Sequence, residues 1–193
     1  MFNDLSIEKG SSGTKLFGGR IYEEYNPKLS GQRAYDVYDE MRRSDAQVFA
    51  TLNAMELPIR STLWYVKCGE TEVGGESQVT PEDEAVMEFV KKALFDKMNH
   101  SFDDFLRQAL TMLAFGFSIF EKVYYREGDR IYVKKLAQRL PRTVWKWNKD
   151  EKTGKPGIEQ FLPMSDDKVP THVVLPAGKI IVFSFRKEGD NFE

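Results

Sequence analysis

The sequence predicts an α+β fold in which an N-terminal arm precedes amphipathic helices and then a mostly antiparallel β-sheet. Between residues 31 and 116, apolar side chains recur at steps of three and four, which predicts mainly helical structure. From residue 117 onward, the apolar pattern has a period of two and is divided by turn signals, which is typical of hairpins. Helices and strands that occupy separate halves of a chain indicate the α+β class.

The composition is that of a chain that buries a core of its own. The 193 residues are 41% hydrophobic and have a net charge of −2, so we expect no overall attraction to nucleic acid or to an anionic membrane. The single cysteine, Cys68, excludes an internal disulfide. No apolar run reaches the roughly 18 residues that a membrane span needs, so we expect no membrane partner.

Residues 1–30 are predicted to form an extended N-terminal arm. They contain two glycine-rich stretches, 10–13 and 18–19, between isolated apolar and aromatic residues, and such a composition seldom builds a core. Two interpretations remain open. The segment is either an arm that becomes ordered against a partner or a frayed terminus.

The stretch Tyr35–Trp64 is predicted to be the amphipathic unit around which the chain is organised. Its apolar residues have helical spacing, with one gap at Asp45 beside Ser44, a good helix N-cap. The pattern allows either one helix over residues 31–56 or two helices that meet at Arg43-Ser44.

Pro58 predicts where this helical pattern ends. A proline pushes the residue before it toward an extended conformation, so we expect the helix to stop at Leu57. The following residues, 59–67, are rich in β-branched and aromatic side chains and are predicted to form a strand. Helix, proline and strand together predict one amphipathic unit that needs a partner surface.

Two further helix starts are marked by capping signals. Thr80 and Asp83 have the spacing of a capping box at the start of one helix. Ser101 gives a similar start for a second helix, which Gly116 is expected to end. A loop rich in glycine and glutamate, residues 68–77, precedes these helices.

Residues 117–193 are predicted to be mainly β. Two hairpins, the first with a tight turn at residues 127–129, precede two final strands. The predicted strands cover residues 117–126, 130–137, 142–147, 157–162, 173–175 and 179–185. Because no capping helix or charged tail follows them, we expect a longer protein that continues beyond Glu193.

The sequence predicts neither an enzyme nor a metal or cofactor site. The two histidines, His100 and His172, lack a cysteine or carboxylate at metal-ligand spacing, and there is no phosphate-binding loop or nucleophile motif. The acids at residues 82–84 are explained by stabilisation of a helix dipole. Glu121 interrupts an aromatic strand, and it either faces water or pairs with an arginine at an interface.

Charge is divided between two segments of the chain. Residues 69–104 carry ten acids and three lysines, whereas residues 126–155 carry ten lysines and arginines and four acids. Three interpretations remain open: solvated faces of the fold, complementary charge between copies of the chain, or a nucleic-acid-binding module. For the last, the candidate contacts in this basic, aromatic stretch are Lys134, Lys135, Arg139, Arg142 and Lys146.

A series of short motifs from Gly13 to the end of the chain carries a resemblance to a known family. The motifs are Gly13-Thr14, Phe17-Gly18-Gly19, Glu23-Glu24-Tyr25, Tyr38–Asp45, Leu57–Arg60, Leu113–Phe117, Phe120–Tyr124 and Lys135–Arg139. In this order they resemble the portal proteins of tailed bacteriophages, and among these the Mu-like portal family.

The resemblance implies a structural, non-enzymatic protein without a cofactor. Portal proteins form homo-oligomeric rings, usually dodecamers, at one capsid vertex of the virion after assembly in the host cytoplasm. Double-stranded DNA passes through the ring, and the implied protein partners are the capsid protein, the terminase packaging motor and the tail adaptor. Residues 31–193 would form the outer, wing-like part. The channel-lining segments would lie beyond Glu193, so the resemblance does not assign the basic stretch to DNA.

In such a ring, part of the surface that Tyr35–Trp64 needs belongs to a neighbouring subunit. The candidate subunit contacts are Arg42, Arg43 and Arg60, opposite the acidic segment of the neighbour, together with Glu121. We predict that reversing the charges of Arg42 and Arg43 weakens ring assembly more than folding. Unchanged ring yield with lower thermal stability would show that these residues serve the fold instead.

Overall fold

Residues 16–17, 20–21, 26–73, 76–149, 156–162 and 171–187 are described by the computed structural model of the chain. Most helices precede the two larger sheets, and the predicted α+β class is confirmed. The described part of the predicted arm contains a short antiparallel pair, β1 (Leu16–Phe17) and β2 (Arg20–Ile21), and a 3-10 turn at Pro27–Leu29. The other arm residues up to position 25 lie outside the described residues.

The amphipathic stretch forms two helices, α1 (Gln32–Ser44) and α2 (Ala46–Arg60), rather than one. Asp45 separates them because its backbone N–H closes the last turn of α1 and its carboxylate caps α2. The carboxylate accepts hydrogen bonds of 2.8 and 2.9 Å from the N–H groups of the second and third residues of α2. The cap is therefore Asp45, whereas Ser44 is the last residue of α1.

The expectation that Pro58 ends the helix is wrong, and so is the strand predicted near 59–67. Helix α2 includes Pro58 and continues beyond it, and residues 61–70 form neither helix nor strand. The carbonyl of Pro58 accepts hydrogen bonds from the hydroxyls of Ser61 at 3.1 Å and Thr62 at 2.9 Å. These bonds satisfy a carbonyl of the last helical turn, so the helix ends after Pro58 with this acceptor paired, against the preference of the residue before a proline.

A small hairpin and a capped helix follow. The elements are β3 (Thr71–Val73), β4 (Glu76–Gln78), α3 (Pro81–Lys91) and a π-helical turn at Lys92–Asp96. The strands β3 and β4 pair within the region predicted to be a loop. Helix α3 starts at the predicted capping box, in which the Thr80 and Asp83 side chains each bond the other's backbone N–H.

The last helical segment is divided into α4 (Phe102–Ala109) and α5 (Met112–Phe115). Ser101 caps α4 as predicted, but the helix is interrupted at Leu110-Thr111 before it reaches its predicted end. Gly116 ends α5 with a φ of +79°, a left-handed conformation that glycine adopts without steric cost.

The first of two three-stranded sheets is antiparallel, with the order β10-β5-β6. Its strands are β5 (Phe117–Glu127), β6 (Arg130–Arg139) and β10 (Ile180–Ser184). Strands β5 and β6 form the first predicted hairpin. Their register shifts between Val123 and Tyr124, which leaves Lys134 of β6 without a partner in the ladder, as in a β-bulge.

The second sheet is also antiparallel and has the order β7-β8-β9. Its strands are β7 (Val144–Lys149), β8 (Pro156–Leu162) and β9 (Thr171–Leu175). Short 3-10 turns at Pro141–Thr143 and Ala177–Lys179 connect the two sheets. The second predicted hairpin and the two final strands are therefore confirmed, but the strands form two sheets.

Two buried clusters cover opposite faces of β5, whose side chains alternate between the faces. On one face, Phe117 and Ile119 pack with residues of the second sheet and of β10, namely Val144, Ile158, Leu175 and Ile180. On the other face, Phe120 packs with residues of the helical segment and of β6, namely Met98, Phe105, Ala109 and Leu136. The first sheet therefore lies between the second sheet and α4.

Candidate functional site

Helix α2 and the segment that follows it carry large apolar side chains that remain exposed. No residue of α2 is buried, and Leu63 and Tyr65 in the following segment are 83% and 73% exposed. We call this region the α2 surface; it comprises Phe49, Met55, Leu57, Ile59, Leu63, Trp64 and Tyr65. Because soluble chains rarely leave this many large apolar side chains exposed within one segment, the segment is a candidate for contact with another protein.

The two ends of α2 are fixed to the rest of the fold. Its N-terminal end is joined to α1 at Asp45. At its C-terminal end, the Arg60 guanidinium binds the Asp103 carboxylate of α4 at 3.0 and 3.4 Å, and the Trp64 ring lies 6.0 Å from that of Phe102. The hydrogen bonds with Arg60 lower the pKa of Asp103. The helix is thus held at both ends while its apolar side chains stay exposed.

Arg60 contacts the acidic segment 69–104, but it does so within its own chain, because Asp103 belongs to that segment. The predicted contact between Arg60 and a neighbouring subunit stays a prediction. Through this ion pair within the chain, Arg60 orients α2 and the residues that follow it.

Arg42 and Arg43 line a cleft between α1, α5 and the turn after β6. We call it the arginine cleft; it is lined by Tyr35, Asp39, Arg42, Arg43, Phe115, Leu140, Pro141 and Arg142. The cleft is shallow and open to solvent, and its sheltered volume is about 30 Å³. The cleft brings together two predicted subunit contacts, Arg42 and Arg43, and one predicted nucleic-acid contact, Arg142.

A single carboxylate, Asp39, pairs with two of the three arginines of the cleft. The Nε atoms of Arg42 and Arg43 lie 2.7 and 3.1 Å from its oxygens. Partial burial raises the pKa of Asp39, but the two guanidinium groups outweigh this effect and lower the pKa below its ordinary value. The Arg42 guanidinium also lies 5.2 Å from the centre of the Phe115 ring. Three arginines and one aspartate give the cleft a net positive charge.

Glu121 pairs with basic side chains of its own chain. Its carboxylate accepts hydrogen bonds from Arg139 of β6 and, at 3.0 Å, from the Nζ of Lys179. Burial raises the pKa of Glu121, but these two partners outweigh the burial and lower the pKa below its ordinary value. Of the alternatives that the sequence left open, pairing with an arginine is the one observed. A role of Glu121 at a subunit interface stays a prediction.

The candidate nucleic-acid contacts are distributed over several parts of the fold. Lys134 and Lys135 are exposed on β6, an edge strand of the first sheet, whereas Lys146 is exposed on β7 of the second sheet. Arg139 binds a carboxylate of the first sheet, and Arg142 lines the arginine cleft. The adjacent pair on β6 is therefore the part of the set that best fits a contact with phosphates.

Among the described residues, no three His, Cys, Asp or Glu side chains come together in a way that could hold a metal ion. His172 lies 2.9 Å from the Glu159 carboxylate on the neighbouring strand, and burial lowers the pKa of His100. Residues 150–155, the end of the basic stretch, are outside the described part of the chain. None of the helices that the structure describes is both long enough and apolar enough to cross a membrane.

Sequence reasoning missed the arginine cleft and the full extent of the α2 surface. The cleft joins α1 to a turn about a hundred residues further along the chain, and no local spacing signals such a contact. For the α2 surface a signal existed. Leu63, Trp64 and Tyr65 are three consecutive large apolar residues, which a half-buried strand with alternating faces would not have.

Exposed apolar side chains on α2 and a positively charged cleft are features that favour contacts with other proteins. A family model described as the portal protein of Mu bacteriophage matches residues 35–192. The chain therefore belongs to the family of Mu-like phage portal proteins, which are structural proteins of the viral head–tail connector. The resemblance found in the sequence motifs is confirmed at the level of the family. A comparison with curated proteins gives no match.

Proposed function

We propose that this chain forms part of a subunit of a homo-oligomeric portal ring through which DNA is packaged and ejected. The observation that carries the proposal is the α2 surface, which lies within the part of the chain that matches the portal family. In a ring, a neighbouring subunit covers apolar side chains that a single subunit leaves exposed. The wing-like position of residues 31–193 and the absence of enzymatic activity belong to the same proposal.

The energetics of apolar burial support this role of the α2 surface. Complete burial of one large apolar side chain contributes about 1.5–3 kcal/mol relative to its exposed state. Several such side chains therefore offset the entropy that a subunit loses on joining a ring. Because a ring of identical subunits joins two different faces of each subunit, the α2 surface would supply one face of the contact.

The remaining partners follow from the proposed portal role. The capsid protein, the terminase packaging motor and the tail adaptor would bind the assembled ring at the capsid vertex of the virion. Double-stranded DNA would pass through the channel of the full-length protein. Twelve subunits is the number we expect for the ring.

Electron microscopy of the full-length protein tests the proposal. We expect closed rings with an axial hole, and we expect the double variant Leu63→Asp/Tyr65→Asp to form few rings because two carboxylates would have to be buried in the contact. Circular dichroism should show that the variant stays folded, since both side chains are exposed in the chain.

A matched control places the same charges on exposed apolar residues of the two sheets. Ile131 and Val174 are 64% and 61% exposed, so Ile131→Asp/Val174→Asp should fold and should still form rings. A full-length wild-type protein that remains strictly monomeric would contradict the proposal. Equal loss of rings in both double variants would show that the α2 surface is not the subunit contact.

A nucleic-acid-binding module is the second candidate function. The observation in its favour is the exposed pair Lys134 and Lys135 on an edge strand, with Lys134 at a β-bulge. Binding of this chain to duplex DNA across a salt series tests it. Phosphate contacts require that affinity falls as salt rises and that Lys134→Glu/Lys135→Glu lowers the affinity. Binding that does not depend on salt would exclude these contacts.

A further inference from the structure

The arginine cleft has more positive charge than its own chain neutralises. Asp39 is shared between Arg42 and Arg43, and Arg142 makes no ion pair with any residue that the structure describes. The Arg43 side chain is 68% exposed, so its guanidinium reaches solvent although its Nε is bonded. Two arginines are therefore available to a carboxylate that enters from outside.

The walls of the cleft favour a protein segment over a nucleic-acid backbone. Phe115, Leu140 and Pro141 give the cleft apolar contact area beside its charges. A phosphodiester backbone carries one negative charge per nucleotide but presents little apolar surface to these walls. A short segment with a carboxylate and an apolar side chain on one face satisfies both the arginines and the apolar walls.

The first turn of α3 combines acidic side chains with exposed apolar ones. Glu82 and Glu84 are exposed, and neither makes an ion pair with another described residue. Val79 and Val86 beside them are 49% and 62% exposed. The capping box holds the backbone of this turn in one conformation, so little entropy is lost when it binds.

The first turn of α3 cannot reach the cleft of its own chain. Phe89 of α3 lies 5.2 Å from the Tyr132 ring and beneath the Arg130 guanidinium, near the turn of the long hairpin. The cleft lies beyond the other end of β6, roughly 23 Å further along at about 3.3 Å per strand residue. The helical rise from Phe89 back to Glu82 covers only about 10 Å.

We propose that the arginine cleft of one subunit binds the first turn of α3 of the next copy, with the Glu82 carboxylate paired to Arg43 and Arg142. Val86, one turn further on the same face of α3, would contact the apolar walls, whereas Glu84 lies on the opposite side of the helix and adds only to the negative charge of the turn. This inference rests on the proposed portal ring and names a second contact within it. The two surfaces lie at opposite ends of the β5–β6 hairpin, which is the arrangement that a head-to-tail contact between identical subunits requires.

Charge reversal on each side of the contact tests the inference in the full-length protein. The cleft variant is Arg43→Glu/Arg142→Glu and the turn variant is Glu82→Arg/Glu84→Arg. Each alone places like charges opposite one another, so ring assembly should require roughly tenfold more protein or fail. The variant with all four changes should form rings again, because the two charges have exchanged places.

A mixture of the two variants is the sharper experiment. In the cleft variant both the cleft and the first turn of α3 are acidic. In the turn variant both are basic. Neither should assemble alone, whereas an equal mixture should form rings in which the two variants alternate. The control Arg33→Glu/Lys92→Glu makes the same change of charge at two exposed residues outside the contact and should assemble as the wild type does.

The outcomes separate this inference from the proposed function. Wild-type rings together with normal assembly of the cleft variant would overturn the inference and leave the portal ring intact. Assembly that is lost in the cleft variant but not restored in the mixture would also overturn it. Normal assembly with weaker, salt-dependent DNA binding would identify the cleft as a phosphate site. Absence of wild-type rings would overturn both, and unchanged circular dichroism of each variant excludes misfolding.

Discussion

Helices α2 and α4 both carry large apolar side chains, but these side chains are buried in α4 and exposed in α2. In α4, Phe105 and Ala109 are buried against the first sheet. In α2 no residue is buried, although the helix is almost twice as long and is fixed at both ends. Amphipathic spacing therefore indicates that a helix packs against a partner surface, but it does not indicate whether that surface belongs to the same chain.

The ion pairs of the first sheet and those of α2 also differ in their surroundings. Glu121 lies on the central strand of the first sheet, and its partners are Arg139 of β6 and Lys179 of the 3-10 turn before β10. The pair of Arg60 with Asp103 lies at the surface and orients a helix that packs little. The ion pairs of Glu121 thus stabilise the fold, whereas the ion pair between Arg60 and Asp103 positions α2.

Matched substitutions of two phenylalanines test most directly whether α2 contributes less to stability than the core. Phe120 is fully buried and Phe49 is 57% exposed. We expect Phe120→Ala to lower the free energy of unfolding by about 3–5 kcal/mol, because it leaves a cavity between the sheet and α4. Phe49→Ala should lower it by less than about 0.5 kcal/mol. Urea denaturation of the two variants measures the difference, and equal losses would show that α2 is part of the core.

Replacement of the Glu121 carboxylate has the next largest expected effect. Glu121→Gln removes the charge that two basic side chains share, so we expect a loss of about 1–3 kcal/mol in the free energy of unfolding at neutral pH. Glu127→Gln is the matched control, since Glu127 forms an exposed pair with Lys97 and should matter less.

The lowered pKa of Glu121 adds a dependence on pH with a definite sign. Because the pKa is lower in the folded than in the unfolded chain, the ionised carboxylate contributes its full stability above the ordinary pKa of a glutamate. This contribution is lost as the pH falls through the lowered, folded-state pKa. Wild type and Glu121→Gln should therefore differ at neutral pH and converge in acid. A difference that is constant with pH would show that the carboxylate is not stabilised by its partners.

Much of the fold was predictable because its signals are local. The capping residues Thr80 and Ser101, the glycine at 116 and the period-two strands each mark a structure within a few residues. The division of the strands into two sheets was not predictable, because it depends on contacts between β5 and strands distant in sequence. The error at Pro58 has a different cause, since hydroxyl groups after the helix satisfied an end that the proline was expected to break.

The candidate site was less predictable than the fold. Arg42, Arg43 and Arg60 could be named from their charge, but their partners Asp39 and Asp103 could not be assigned without the folded chain. The arginine cleft depends on a turn that follows β6, and it exists only where α1, α5 and this turn lie together in the folded chain.

The Asp45 cap carries the smallest expected change and bears directly on the contrast between α2 and α4. Because α2 buries no residue, its first turn depends on the hydrogen bonds that the Asp45 carboxylate accepts. We expect Asp45→Ala to cost about 1 kcal/mol and Asp45→Asn, which keeps an accepting oxygen, only a fraction of this. Hydrogen exchange should then be faster in the first turns of α2 and unchanged in α4, since packing against the sheet holds α4 independently of this cap. Equal acceleration in both helices would show that α2 is coupled to the core, and the contrast between the two helices would then fail.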